Sequence, residues 1–144
     1  MKRFYPILLI PLVVILFLMS CKKEPDHIAV QHILIAFKGS IPKETVTRTM
    51  EEAEKLANEI FERARKGEDF DALVKEYTDD VYPGVCKMAN FDAEPNRDQG
   101  EAEREQMVKE FGDVSFKLSV NEIGMAEFSP ESSKYGWHII KRIN

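Results

Sequence analysis

Few side chains in this 144-residue sequence could do chemistry, and their spacing narrows what that chemistry is. The histidines stand at 27, 32 and 138 and the cysteines at 21 and 86. Neither set has the close pairing of a zinc site, so no structural metal is expected. Cys86 has no base beside it in sequence and no cluster of cations, so it reads as a passive buried thiol. His32 and His138 each sit inside an apolar run, where alternation along a strand points His32 inward. A lone inward histidine is usually a satisfied core residue; two of them, with hydroxyl and carboxyl groups available, could satisfy each other's hydrogen bonds. Asp79-Asp80 reads either as a solvated turn after a helix or as the charged part of a site. Met107 and Phe111 are four residues apart and would share one helix face, which on spacing alone makes them core.

These groups need elements to position them. Residues 28–37, IAVQHILIAF, are apolar almost throughout and suit a strand covered on both faces, ended by Gly39, Ser40 and Pro42. Met50 to Lys66 repeats small and apolar residues at three- and four-residue steps, and Gly67 follows where a left-handed cap belongs. Asp69 can cap a second helix whose buried stripe is Phe70, Leu73, Val74 and Tyr77. Val85 to Phe91 reads as a short strand. Asp92 to Glu105 lacks any large apolar group and reads as a solvated acidic insertion that merges into a helix carrying Met107, Val108 and Phe111, closed by Gly112. Residues 121–124 read as a turn, 125–128 as a strand, and 136–143 as a final strand. This order predicts the α+β class.

Apolar content is concentrated at the start. Residues 7–19 form an unbroken apolar run except for Pro11, shorter than the roughly 20 residues a membrane helix needs, after a Lys-Arg pair. Leu18-Met19-Ser20-Cys21 resembles a bacterial lipobox. Residues 1–20 are therefore expected to be a lipoprotein signal peptide, with 21–27 a tether after an acylated Cys21 and 28–144 the folded domain, its acidic insertion at about 92–105. An acylated Cys21 leaves Cys86 unpaired, so no disulfide framework is expected. That reading places the protein outside the cytoplasm, anchored to a bacterial membrane by lipid. After residue 20 there are 18 basic against 25 acidic side chains, a balance that disfavours nucleic acid as a partner. A domain of this length also leaves no room for a separate cofactor domain.

Several segments, taken in order, resemble the parvulin family of peptidyl-prolyl cis-trans isomerases. They are Gln31-His32-Ile33-Leu34-Ile35, Gly67-Glu68-Asp69-Phe70, Tyr77-Thr78-Asp79-Asp80, Gln106-Met107-Val108-Lys109-Glu110-Phe111, Val114 to Leu118, Asn121-Glu122-Ile123 and Ser133 to Ile140. The resemblance spans about residues 30–144. It implies a four-stranded, mostly antiparallel sheet flanked by about four helices, similar to FKBP-like folds. It also implies that His32 and His138 are paired on neighbouring central strands, that Asp80 occupies the family's Cys-or-Asp position, and that Ser133 is the hydroxyl residue near the second histidine. Met107 and Phe111 would form the proline pocket, with Met88 as a third wall. Where the family carries a glycine-rich stretch, this chain has Cys86-Lys87-Met88-Ala89-Asn90-Phe91.

The implied activity requires neither nucleophile nor cofactor. Rotation about X-Pro faces a barrier of about 18–20 kcal/mol from partial double-bond character, and no bond breaks. Expected partners are unfolded or exported proline-containing polypeptides. The alternative is a parvulin-fold holdase or binding lipoprotein with little or no turnover. Lys38, Lys43 and Arg48 are dispersed along the loop after the first strand, so no phosphate before proline should be required.

Overall fold

A computed structural model describes residues 23–144; the apolar leader and Cys21 lie outside the described residues. The first element among the described residues is β1, His27–Ile35, whose alternation divides its side chains between two faces. Ile33 and Ile35 point to one side, Ile28, Val30 and His32 to the other. Helix α1 (Met50–Arg65) starts at a capping box: the Thr49 hydroxyl accepts from Glu52 N–H at 3.1 Å, while the Glu52 carboxylate accepts from Thr49 N–H at 2.7 Å. Its buried stripe is Ala53, Ala57, Ile60 and Ala64. Asp69 caps α2 (Phe70–Tyr77) by accepting from Ala72 N–H at 2.7 Å. Both helices cover the Ile33, Ile35, Trp137 and Ile139 face of the sheet.

Four further strands complete one sheet: β2 (Val85–Ala89), β3 (Ala102–Glu103), β4 (Ile123–Ala126) and β5 (Trp137–Arg142). The order is β3-β2-β1-β5-β4, antiparallel except for the parallel β2–β3 pair. The α+β class therefore holds, with five strands rather than four and three α-helices rather than about four. The extra strand comes from the acidic insertion. Its two residues are too few to carry any periodicity, and backbone pairing to Met88 and Ala89 forms it.

Helix α3 (Lys109–Lys117) packs on the opposite face, where Phe111 and Phe116 join Ile28, Val30, Met88 and Ile140. This corrects two expectations. Gly112 lies inside α3 instead of closing a helix, and Met107 lies before α3, ending the 3-10 turn Arg104–Gln106. Strand boundaries also move by one or two residues: β1 runs from His27 to Ile35, β2 ends at Ala89, β4 spans Ile123–Ala126 and β5 Trp137–Arg142.

Candidate active site

β1 and β5 pair antiparallel with Leu34 opposite His138 and His32 opposite Ile140. Residues directly opposite in a pair share a face, as do residues two apart on one strand, so His32 and His138 both emerge on the α3 side as diagonal neighbours. Their ring centroids are 6.0 Å apart. Phe111, projecting from the first turn of α3, meets both edge to face, at 5.1 Å from His32 and 5.4 Å from His138. Over these three rings lies a cleft of about 510 Å³, with Met107, Cys86 and Leu34 among its apolar walls and Asp80 at one side.

The loop between α2 and β2 is tied to β1 at several points, and this places Asp80. Asp79 N–H donates to Leu34 C=O at 2.8 Å, and the Asp79 carboxylate accepts from Ala36 N–H at 2.8 Å and from Arg48. Asp79 is thus a largely covered clamp, whereas Asp80 is half exposed and faces the cleft. His32 N–H donates to Gly84 C=O at 2.9 Å. Gly84 has φ +67°, and a Cβ there would fall 2.5 Å from the His32 carbonyl oxygen, so only glycine lets the loop come this close.

Asp80 Oδ2 lies 3.1 Å from His32 Nε2. A carboxylate only accepts, so the proton of this contact sits on Nε2. The hydrogen bond from His32 holds the Asp80 carboxyl below the usual range against the opposing effect of burial. His138 is only 6% exposed. Burial, with a further contribution from His32, pushes its pKa down to about 4, so this ring is neutral at pH 7. Neither His32 Nδ1 nor His138 Nδ1 has a hydrogen-bond partner among the described residues.

Ser133 does not make the expected hydrogen bond to the histidines. It is wholly buried, and its hydroxyl donates to Gly136 C=O at 3.1 Å, closing the turn before β5; neither imidazole is its partner. The network uniting both histidines, Asp80 and Ser133 reduces to the His32–Asp80 contact. Met88 also departs from its expected role as a wall. It is fully buried opposite Ile28, packs beneath the cleft in the α3-side core, and does not line it. Cys86, two residues earlier on the same face of β2, supplies that wall, with Sγ 3.9 Å from Met107 Sδ. Burial and the nearby Asp80 push its thiol pKa up, which keeps it protonated and apolar in character. Val85, Val108, Gln106 and Tyr135 also border the cleft and were not read from sequence. Period-two alternation from Met88 would have found Cys86; nothing local marks the others.

The loop after β1 holds no free basic cluster. Arg48 donates to Ala36 C=O at 2.9 Å as well as to Asp79, and Lys43 Nζ donates to Asp79 C=O at 3.0 Å. Among the described residues no group of three His, Cys, Asp or Glu side chains is placed to hold a metal ion, and no helix is long and apolar enough to cross a membrane.

A family model described as the PPIC-type PPIASE domain matches residues 14–144. Foldase protein PrsA 4 of Bacillus cereus is 38% identical over 100 residues, covering 69% of this chain and 31% of that protein. Chaperone SurA of Pseudomonas aeruginosa is 33% identical over 121 residues, covering 83% of this chain and 24% of that protein. The solution structure of TbPIN1 superposes with a TM-score of 0.60 at 22% identity, covering 83% of this chain and 98% of that one. The chain thus spans a third or less of the length of these two curated relatives, and almost all of a parvulin-fold structure.

Proposed function

The chain belongs to the parvulin family of PPIC-type peptidyl-prolyl cis-trans isomerases, and from that membership and the cleft we propose that it accelerates X-Pro isomerisation in exported polypeptides as they fold. The observation that carries this reading is a cleft over two imidazoles and Phe111, walled by Met107 and Cys86 and flanked by one carboxylate.

The proposed chemistry is differential binding. Met107 and Phe111 take the pyrrolidine ring, a soft thioether and a flat ring against an apolar substrate group. The twisted amide has lost resonance, so its carbonyl oxygen is less negative and its nitrogen more basic than in the planar form. Apolar walls, a thiol that stays neutral and the Asp80 carboxylate all tolerate that less negative oxygen better than the planar amide's. Each tenfold acceleration requires about 1.4 kcal/mol of such preference. His32 orients Asp80 through their hydrogen bond, while neutral His138 supports Phe111 from below. Ser133 acts on the site only by shaping the turn that leads to His138.

We further propose that Cys21 is acylated and anchors the domain to a bacterial membrane outside the cytoplasm, as the lipobox-like Leu18-Met19-Ser20-Cys21 implies. Mass spectrometry of the N-terminal peptide tests this: a diacylglyceryl-cysteine at position 21 is expected, and an unmodified Cys21 would overturn it.

Isomerase activity is tested with a protease-coupled assay on Ala-Pro and Phe-Pro peptides. Acceleration that Phe111→Ala removes is the expected result. No acceleration, together with suppressed aggregation of an unfolded client, would instead make the protein a holdase that uses the same cleft.

A further inference from the structure

Arg104 is a charged residue only 7% exposed, near the end of what reads as a solvated insertion. Its Nη1 donates to Glu24 Oε2 at 2.6 Å and Asn90 Oδ1 at 2.8 Å, and its Nη2 donates to Asp113 Oδ1 at 2.7 Å. Phe91 and Phe116 lie 4.5 and 4.6 Å from the guanidinium carbon. A desolvated guanidinium is costly unless paired on this scale, and here it bridges the segment before β1, the end of β2 and helix α3. The same network draws in a second residue of the segment before β1, since Asn90 also donates to the Pro25 carbonyl at 3.0 Å.

This arrangement bears on the cleft because Met107 and Phe111 do not share a helix. One ends a 3-10 turn and the other lies in α3, so helical geometry does not fix their separation. Arg104 does connect them. Its carbonyl accepts from Met107 N–H at 3.0 Å, and its side chain grips Asp113, two residues beyond Phe111. Gly112 leaves the room for this: a Cβ there would lie 3.1 Å from Arg104 Cγ. Met107 also borders a second hollow of about 300 Å³ with Phe91, Arg104 and Asp113, so it packs on the α3-side core between two open spaces.

We propose that Arg104 is a positioning residue that fixes Met107 against Phe111, and that Glu24, in the segment preceding β1, is part of the same device. The inference rests on reading the cleft as the proline site. It predicts that the segment before β1 is a working part of the domain and not only a tether.

The test is a double-mutant cycle on the full chain, crossing Arg104→Lys and Glu24→Gln separately with Met107→Ala, read by kcat/KM on a Phe-Pro peptide and by melting temperature. Misplacement of a binding group by a fraction of an ångström can cost tenfold or more, so each change should lower kcat/KM, Arg104→Lys by about tenfold, mainly through KM. In the Met107→Ala background the loss should shrink to about twofold or less, while the melting-temperature decrease stays the same. Equal kcat/KM losses in both backgrounds would show a merely structural role and overturn the proposal. If Arg104→Lys does not fold, Glu24→Gln alone carries the cycle. A wild-type protein without acceleration would sink the isomerase reading and not this one. The 13C-methyl resonance of Met107 then reads the same outcome: Arg104→Lys should shift it and weaken its response to a proline peptide, and an unchanged resonance would overturn the proposal.

Discussion

His32 and His138 lie one diagonal step apart on adjacent antiparallel strands, 6.0 Å between ring centres, and the group that touches both rings is Phe111. The pair therefore acts as a platform for an aromatic side chain, with only His32 reaching a carboxylate. That asymmetry separates the consequences of changing each ring.

Truncating the cleft should remove binding and, at Phe111, stability as well. Phe111 is 5% exposed in the α3-side core, so Phe111→Ala should cost about 3–5 kcal/mol in addition to its acceleration. Met107 is only partly buried, and Met107→Ala should lower kcat/KM about tenfold, equivalent to about 1.4 kcal/mol, with little loss of stability. Denaturant melts alongside peptide assays check both; a Met107→Ala protein with full kcat/KM would remove Met107 from the site.

His138 should make the domain acid-sensitive above the carboxylate range. Its folded pKa is near 4 against an ordinary 6.5, so below about pH 6.5 the unfolded chain takes up a proton that the folded chain refuses. Stability is fully present above pH 6.5 and declines as pH falls toward 4, by on the order of 3 kcal/mol. Below that, Glu24, Asp80 and Asp113, whose carboxyls are held low by their partners, lose their contributions in turn. Replacing His138 with Gln should flatten the melting temperature between pH 6.5 and 5. A profile identical to wild type in that window would count against the neutral buried ring.

The His32–Asp80 contact should matter more for rate than for folding when broken from the Asp80 side. Asp80 is half exposed, so in Asp80→Ala water can take the His32 N–H, and the stability loss should stay under about 1 kcal/mol while kcat falls. His32→Ala removes a largely buried ring beneath Phe111 and should cost both stability, about 1–3 kcal/mol, and rate. Unchanged melting together with unchanged turnover in His32→Ala would exclude any role for the pair.

Phosphate before proline should confer no advantage. Arg48 and Lys43 are committed to Asp79 and Ala36, which leaves no cluster of cations on the loop after β1. Phosphoserine-Pro and Ala-Pro peptides of otherwise equal sequence should differ little in kcat/KM, with the phosphorylated one no better. A preference of tenfold or more for phosphoserine would contradict this reading. Arg48→Ala should lower melting temperature without changing the order of substrates.

The strands and helices were legible because their signals are local. The nearly continuous apolar run from Ile28 to Phe37 marks a strand buried on both sides, three- and four-residue steps mark α1, and Asp69 caps α2. The histidines, Asp80, Met107 and Phe111 could be picked out by resemblance, and the fold brings them to one cleft. Ser133 and Met88 looked equivalent to them in sequence. The difference lies in position along the strand and in turn geometry: Ser133 spends its hydroxyl on the Gly136 carbonyl, and Met88, two residues beyond Cys86 on the same face of β2, is fully buried in the core. Likewise, the acidic stretch after Asp92 offered no hint of a strand or a buried cation, because both depend on partners far away in the chain.

By itself, then, the order of residues determined most of the segments that become helices and strands, since propensity, capping and periodicity act over a few positions, while its resemblance to the parvulin family pointed to the side chains of the candidate site. Tertiary structure alone decided that Asp79 is spent as a clamp on β1, which sulfur forms the cleft wall, and that one arginine joins the segment before β1 to Met107 and α3. Those outcomes depend on strand register and on contacts between residues as many as 80 positions apart, such as Glu24 with Arg104, where no local signal reaches.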